Sequence, residues 1–409
     1  MTLNSKCAAI IAAGTITLAS AAAHAATCAN SGLAGTVIYT GGSSAAKPML
    51  KNVSATLAQA GIRLVYISLG SCVGLSDITG TNNAEKSSGV VWDETGTLTD
   101  GGVGAEITCD NSAGVALDVA ISDVFPSSCS NITLKGTQTD YHGSNQVFSF
   151  IVPTTSKHTT ISSEAGFVIY GWGGATHVVD TWDDVGHIFM RDPTKSGSYA
   201  MTSSLIGLLP SKMKGTIPGA GKTPDVLAAV YGDTTGTNKD KSIGVVSQDY
   251  ADANRAGTQS TTPVKILAFQ DKGSSCAYFP DSTDKTYDKI NVRTGLYPFF
   301  GPIHLIADTT PTTNVSTVLS YFTRAGLAAA AKKTMIDNEV AAYTVPQCAM
   351  KVSRTAEVSP ALAITPYDSP EPCGCYFEYK ATGKTTCTQC TDNGPCGSGQ
   401  CRYGYCEAK

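Results

Sequence analysis

The hydrophobic and polar positions alternate between strand and helix patterns along most of the chain. Apolar, β-branched runs over residues 36–40 and 62–69 predict buried strands, and residues 47–61 between them carry apolar positions at helical spacing up to a glycine. The same alternation continues to about residue 345. It predicts an α/β architecture with mostly parallel sheets. The further strands are predicted over 115–124, 145–153, 187–190, 243–247 and 264–269.

Further helices, a polar stretch and a proline-containing apolar run complete the pattern. Residues 315–333 predict a long amphipathic helix, and shorter helices are predicted at 163–172 and from about Tyr199 to Leu209. Residues 80–114 are rich in Gly, Asn and Thr, which is typical of a long surface excursion. Residues 296–307 form an apolar run with two prolines, which favours a chain crossing between lobes at a sheet edge.

The first residues predict export. Lys6 precedes an apolar stretch from Ala8 to Ala23, and Ala23-His24-Ala25 fits the cleavage rule of a secretory signal peptide over residues 1–25. A transmembrane anchor is the alternative, which the short, alanine-rich stretch disfavours. The expected location is periplasmic or extracellular. The net charge of −4 disfavours general affinity for nucleic acid, so any anion must be held by local geometry.

Cysteine usage agrees with export. Of the 14 cysteines, Cys7 leaves with the signal peptide, and the odd remainder implies one thiol that is free or paired between molecules. From about Ser369 the chain becomes rich in Cys and Gly, which predicts a small disulfide-stapled tail without a core of its own. Which cysteines form disulfides with each other cannot be deduced from their spacing in the sequence. A zinc site in the tail stays open as an alternative, built from Cys387, Cys390, Cys396 and Cys401.

Four loops carry the candidate chemistry. Each follows a predicted strand, contains small polar residues and precedes a predicted helix: residues 41–46, 70–72, 122–123 and 191–198. In open α/β sheets, ligands bind beyond the carboxyl ends of the strands, where helix N-termini present free N–H groups. Serine hydroxyls and one arginine would add donors for a tetrahedral oxyanion. Read singly, each loop is also a tight connection, a helix cap or a local ion pair, and only their recurrence favours a site.

The order of these segments resembles a known family. The succession TGGSSAAKP, ISLGSCVG, DVAISDVF, IFMRDPTKSGS, IGVVSQDYA and LYPFFG is similar to the periplasmic phosphate-binding proteins of ABC transporters. The resemblance covers most of residues 36–345, and the tail has no counterpart. It implies a two-lobed α/β fold of the type II periplasmic-binding-protein class, in which two crossing strands near 145–153 and 295–303 form a hinge. It implies no cofactor and no metal.

The resemblance also assigns roles to residues. Ser44 and Ala45 would give a hydroxyl and backbone N–H groups, Ser71 a second hydroxyl, and Asp123 would accept a hydrogen bond from a protonated ligand oxygen. From the second lobe, Arg191 would neutralise the ligand, with Ser196, Gly197 and Ser198 closing over it. A carboxylate facing an anion favours phosphate, which carries a proton, over sulfate, which does not. The alternative for Asp123 is a helix N-cap.

Two other patterns in the sequence do not indicate a binding site. The segment GAGKTPD at 219–225 lacks the first glycine of a phosphate loop, since Thr216 stands there, so nucleotide binding is not expected. None of the histidines after the signal peptide has metal-ligand spacing with another, and they are expected at surface or loop positions: His142, His158, His177, His187 and His304.

The sequence thus predicts a non-enzymatic, exported solute-binding protein that captures phosphate or a similar oxyanion for ABC-type uptake or sensing, by docking to a membrane permease or sensor. The alternatives are a cell-surface adhesion or display protein whose tail holds a surface partner, and a secreted phosphohydrolase. The predicted domains are a signal peptide at 1–25, lobe 1 at 26–148 and 299–355, lobe 2 at 149–298, and a linker with the cysteine-rich tail at 356–409.

Overall fold

The structure, a computed structural model, describes residues 27–80, 86–96, 102–175, 179, 181–234, 240–256, 258, 260–357 and 364–408. The predicted signal peptide and Cys7 lie outside these residues, as does His177. Across the described ranges, every helix is too short or too polar to cross a bilayer.

The strands belong to one large sheet and three two-stranded ones. Their bounds are β1 Thr36–Gly42, β2 Ile62–Ser68, β3 Gly89–Asp93, β4 Ala105–Cys109, β5 Val119–Ser122, β6 Gln138–Pro153, β7 Thr160–Ser162, β8 Gly244–Ser247, β9 Val264–Ile266, β10 Ala268–Gln270, β11 Phe300–Asp308, β12 Val352–Arg354, β13 Ile364–Pro366, β14 Gln400–Arg402 and β15 Tyr405–Glu407.

The helices connect these strands and cover the large sheet. Their bounds are α1 Lys47–Gln59, α2 Ser71–Thr79, α3 Ser163–Trp172, α4 Gly197–Leu205, α5 Thr223–Gly232, α6 Gln248–Ala253, α7 Ile290–Arg293, α8 Thr313–Thr323, α9 Ala329–Ala341 and α10 Gly374–Thr382.

The two-lobed α/β fold follows from the path of β6. The large sheet has the order β4-β3-β2-β1-β5-β11-β6-β8, with β9 also paired to β6. The first part of β6 pairs with β11, whereas residues 148–153 pair with β8 and β9. We call the β1–β5 and β11 side, with α1, α2, α8 and α9, lobe 1. Lobe 2 comprises the end of β6 with β7–β10 and α3–α7. The exact domain boundaries given above stay a prediction.

Helix α1 shows how the pattern produces the core of lobe 1. Met49, Leu50, Val53 and Leu57 recur at helical spacing, and all four side chains are fully buried. They pack against apolar side chains of the sheet and of α8, including Phe322. Burial of this stripe, rather than helix propensity, supplies most of the stability of such a helix.

Four sequence predictions need correction. The sheet is mixed rather than mostly parallel, since β11 runs antiparallel to both β5 and β6. The stretch 80–114 contains the antiparallel pair β3 and β4, which extends the sheet edge. The helix predicted over 315–333 is broken into α8 and α9, because Arg324 and Gly326 adopt left-handed conformations. At 187–190, only isolated bridges form at Ile188 and Phe189 instead of a strand.

The cysteines form six disulfides within the described residues, and Cys276 is an exposed free thiol. The zinc alternative for the tail is wrong, because all four of its proposed ligands are oxidised. The tail is also docked rather than separate: Cys348–Cys373 ties it to the body, and Tyr376 Oη donates to Asp337 of α9 at 2.6 Å. The disulfides are Cys28–Cys109, Cys72–Cys129, Cys348–Cys373, Cys375–Cys387, Cys390–Cys401 and Cys396–Cys406.

Candidate oxyanion site

The lobe 1 half of the site lies at the carboxyl ends of β1, β2 and β5. Because β1 is parallel to both neighbours, the three ends meet at the same edge of the sheet. Gly42 ends β1 with a φ of 131°, and a Cβ there would lie 2.0 Å from the Ile121 carbonyl oxygen. Glycine is therefore required for this loop to turn beside β5.

Asp123 is the centre of this half. Its carboxylate is buried and accepts hydrogen bonds from Ser43 Oγ at 2.8 Å and from Ser71 Oγ. Ser43, which the sequence analysis did not single out, therefore supplies the first-loop contact to Asp123, whereas the role predicted for Ser44 concerns a bound anion. The Ala45 N–H is used inside the loop, since it donates to Ser43 Oγ at 3.2 Å.

Arg191 is the centre of the lobe 2 half. Its Nε donates to the Gly221 carbonyl at 2.8 Å, and Nη1 donates to Ser198 Oγ at 3.3 Å and to Thr223 Oγ1. Nη2 reaches across to lobe 1 and donates to Ser44 Oγ at 3.2 Å. All four acceptors are neutral oxygens.

The guanidinium of Arg191 is a buried cation without a carboxylate partner. It is 8% exposed, and no carboxylate of the described residues lies within the 4.0 Å of an ion pair with it. Asp192 is directed elsewhere, since its Oδ1 accepts from Thr194 N at 2.8 Å, so the local ion pair considered from sequence is absent here. Burial lowers the pKa of Arg191, and the nearby Asp123 carboxylate opposes that shift. The positive charge of Arg191 is therefore not compensated by a described carboxylate within ion-pair distance.

The N-terminus of α4 completes the site. Ser196 is its N-cap and accepts from Tyr199 N at 3.3 Å, while its hydroxyl lies 2.9 Å from Ser198 Oγ. The N–H groups of Gly197 and Ser198 open the helix and have no intrahelical acceptor. They point the positive end of the helix at the junction between the lobes.

The two halves are in contact. A Cβ built on Gly197 would lie 2.1 Å from Asp123 Oδ1, and the Lys195 carbonyl accepts from Cys72 N at 3.2 Å. The structure therefore brings the predicted Ser44, Ala45, Ser71, Asp123, Arg191, Ser196, Gly197 and Ser198 to one junction between the lobes.

A cavity of about 200 Å³ opens beside Arg191 at this junction. Two exposed lysines, Lys195 and Lys222, line it together with Arg191, against the single carboxylate of Asp192. Hydroxyl groups supply the remaining polar lining, at Ser44, Ser68, Ser87 and Ser196. The cavity is thus polar and carries an excess of positive charge.

Sequence reasoning missed Lys222 and Thr223. Both belong to the GAGKTPD segment, which is not a phosphate loop but brings Gly221 and Thr223 into hydrogen bonds with Arg191. The available signal was the Lys-Thr pair before α5, which follows a glycine-rich turn. The contacts of this segment with Arg191 join residues about 30 positions apart in the chain, so they cannot be deduced from the local sequence pattern.

The chain is similar to solved structures, whereas no protein-family model and no curated sequence matches it. Among solved structures, a substrate-binding protein assigned to phosphate ABC transport from Clostridium perfringens, with bound phosphate, is 11% identical, with 76% of this chain and 99% of that one covered at a TM-score of 0.49. An ABC-type phosphate transport receptor from Vibrio cholerae is 13% identical. The likeness covers 76% of this chain and 100% of that one, at a TM-score of 0.44.

The regulatory domain of reduced OxyR from Pseudomonas aeruginosa is also similar, at 10% identity, with 70% of this chain and 96% of that one covered and a TM-score of 0.38. All three TM-scores are below 0.5, so these likenesses assign neither a family nor a role to this chain. The two-lobed α/β fold rests on the path of β6, and the C-terminal region is rich in disulfides. The structural neighbours include phosphate ABC substrate-binding proteins.

Proposed function

We propose that this protein is an exported solute-binding protein that captures phosphate, or a similar small oxyanion, between its two lobes. The observation that carries the proposal is the buried Arg191 guanidinium, whose hydrogen-bond acceptors are all neutral. A buried charge without a partner is costly, because desolvation is not offset by an opposite charge. A bound anion supplies that charge.

The surroundings of Arg191 suit a tetrahedral oxyanion. The hydroxyls of Ser44, Ser198 and Thr223 now accept from the guanidinium, and each can rotate to donate to an anion. The four hydrogen bonds of the guanidinium leave one of its five N–H groups for an anion, and an anion that displaces the Ser44 hydroxyl gains a second. The α4 N-terminus adds backbone N–H groups. Lys195 and Lys222 at the cavity mouth raise the local concentration of anions.

Asp123 supports selectivity for a ligand that carries a proton. Its carboxylate lies so close to the N-terminus of α4 that a side chain at position 197 would clash with it, and glycine occupies that position. Among the described residues, the side chains of Ser43 and Ser71 alone donate to it, so the carboxylate retains lone pairs for one more donor. Hydrogen phosphate provides an O–H donor to a carboxylate, whereas sulfate at neutral pH presents acceptors only and is repelled.

The arrangement requires binding and no bond-breaking chemistry, so we propose transport or sensing rather than catalysis. Closing the lobes buries the ligand and creates a surface that exists only in the loaded state. A membrane permease or a sensor that recognises this surface would receive the ligand by docking. The disulfides indicate an oxidising compartment, which agrees with export.

The test is a thermal-shift panel on protein refolded or dialysed to remove carried-over ligand. Phosphate should raise the melting temperature in a concentration-dependent manner, because a ligand that binds only the folded state stabilises it. Sulfate, nitrate and chloride at matched ionic strength are the controls. Equal shifts with all four salts, or none with phosphate, would contradict the proposal.

A further inference from the structure

Two histidines and an aspartate converge on the crossing strands of lobe 1. His142 on β6 and His304 on β11 are direct partners in the antiparallel ladder, and Asp140 lies two residues before His142. Residues opposite each other, or two apart on one strand, project from the same face of a sheet. The three side chains therefore share one face.

The ligand-type atoms of this cluster are close. Asp140 Oδ2 lies 2.8 Å from His304 Nδ1 and 3.4 Å from His142 Nε2, and one such atom from each of the three lies within 4.8 Å of the others. In a tetrahedral site with metal–ligand distances near 2.0 to 2.1 Å, neighbouring ligand atoms are about 3.3 Å apart. Two of the three separations already approach this value. His142 is half-exposed and free to supply the remaining movement.

The buried member of the cluster faces Asp140 with Nδ1, which is therefore the nitrogen available to an ion between them. His304 is fully buried, and its other nitrogen, Nε2, has no hydrogen-bond partner among the described residues. The Phe125 ring packs against the imidazole at a centroid distance of 4.4 Å, and the His142 ring at 4.8 Å. The contact of Nδ1 with the Asp140 carboxylate is the polar contact that a bound ion would replace.

We propose that Asp140, His142 and His304 form a binding site for a borderline first-row divalent cation, with Zn²⁺ as the best match. Two imidazoles and one carboxylate are a donor set that Zn²⁺ accepts in proteins with one position left open. A hard cation such as Mg²⁺ or Ca²⁺ prefers oxygen ligands and fits this set poorly. The proposal does not depend on anion binding.

A small cavity reaches one member of the cluster. His142 lines a cavity of about 50 Å³ with room for a water molecule as a further ligand, although the buried Arg354 cation lines the same cavity and opposes the entry of a cation. The site also adjoins the oxyanion junction, since His304 pairs with Ser122, the residue before Asp123. A cation here would add positive charge behind the Asp123 carboxylate.

The sequence did not indicate this site, and the expectation that the histidines lie at surface or loop positions is wrong for His304. His142 and His304 are 162 residues apart, so no local spacing connects them. They become neighbours only through the pairing of β6 with β11.

The test uses Co²⁺ as a spectroscopic probe on the full mature chain with the exposed thiol removed by Cys276→Ser. Co²⁺ bound by imidazole and carboxylate ligands gives visible absorption bands, which Zn²⁺ should displace. We expect saturation at one equivalent, and an affinity loss of about 100-fold or more in His142→Gln.

This half-exposed position is chosen because changes at the buried His304 threaten folding. His187→Gln removes the chemically similar histidine paired with Asp233 at 2.6 Å and should leave binding unchanged.

A second measurement needs no variant. Mass spectrometry after treatment with diethyl pyrocarbonate should show that Zn²⁺ protects His142 and leaves His187 equally reactive. Absence of a saturable Co²⁺ band in the parent protein would overturn the proposal. Unchanged Co²⁺ affinity in folded His142→Gln, or equal protection of both histidines, would overturn it as well and leave an ordinary histidine–aspartate hydrogen bond.

Discussion

Arg191 Nη2 and Ser44 Oγ are 3.2 Å apart, and this hydrogen bond joins lobe 2 to lobe 1. Arg191 follows the isolated bridges at the edge of lobe 2, whereas Ser44 opens the short turn after β1. The cation thus lies at the junction where a ligand would contact both lobes. Under the proposed function, an anion bound here would contact both lobes and would favour their closed arrangement.

Gly197→Ala tests whether close approach of the lobes is required. The added Cβ would lie 2.1 Å from Asp123 Oδ1, so the lobes must separate or the carboxylate must move. We expect phosphate affinity to fall about 5- to 150-fold, which corresponds to an overpacking cost of about 1 to 3 kcal/mol. Titration calorimetry measures it. Gly232→Ala in α5, where a Cβ meets nothing within 4 Å, is the matched control, and equal affinities in both variants would contradict the account.

Asp123→Asn tests the role of the carboxylate in selectivity. The substitution removes the charge that repels a fully deprotonated oxyanion and introduces an N–H donor. The ratio of phosphate to sulfate affinity should fall at least about tenfold, a change of about 1.4 kcal/mol. Asp192→Asn is the control, because Asp192 lines the cavity yet is engaged by Thr194. An unchanged ratio in Asp123→Asn would rule out discrimination by this residue.

The Cys72–Cys129 disulfide should contribute strongly to stability. It closes a loop of 57 residues beside Ser71. Replacing both cysteines by serine should lower the free energy of unfolding by about 4 kcal/mol, through the loop entropy of the unfolded chain. Urea unfolding measures the change. Cys276→Ser, at the exposed free thiol, should leave the curve in place, and a loss below about 1 kcal/mol in the double variant would contradict the prediction.

Asp249 should make folding stability depend on pH. Burial raises its pKa to about 7, with Asp252 adding to the shift, and Arg191 and Tyr250 are the other charged or titratable groups that interact with it. The folded state therefore binds this proton more tightly than the unfolded state, so its stabilising contribution is present near pH 4 and is lost as pH rises toward 7.

The isosteric variant Asp249→Asn isolates that contribution. Relative to the parent, its free energy of unfolding should increase between pH 4 and pH 8, by at most about 4 kcal/mol for a shift of about three pKa units. Urea unfolding across this range, with the exposed Asp368→Asn as control, provides the measurement. A difference that does not change with pH would show that Asp249 is ionised in the folded state at neutral pH.

The sequence located the candidate loops better than the strands of the sheet, for physical reasons. Gly and Ser directly after an apolar run mark the end of a strand, so the loops at Ser44, Ser71 and Asp123 could be predicted locally. That the three strand ends meet follows from the parallel pairing of β1 with β2 and β5. The short strands β3 and β4 were missed because their stability comes from pairing at a sheet edge rather than from a strong apolar pattern.

Contacts between distant segments could not be predicted. Thr223 hydrogen-bonds to Arg191, and His304 meets His142, only after the lobes have folded. The break at Arg324 was also missed, since the apolar positions of α8 are followed by an alanine-rich stretch that favours helix, although Gly326 is a local signal of a helix end.

The most direct test of the central claim is calorimetric titration of ligand-free protein with phosphate, comparing the parent with Arg191→Ala and Arg191→Lys. The account predicts one site per chain in the parent, loss of measurable binding in Arg191→Ala, and weaker binding in Arg191→Lys, which keeps the charge but loses the bidentate fork. Circular dichroism must show that the variants are folded. Phosphate binding by folded Arg191→Ala with the affinity of the parent would contradict the claim that this buried guanidinium holds the anion.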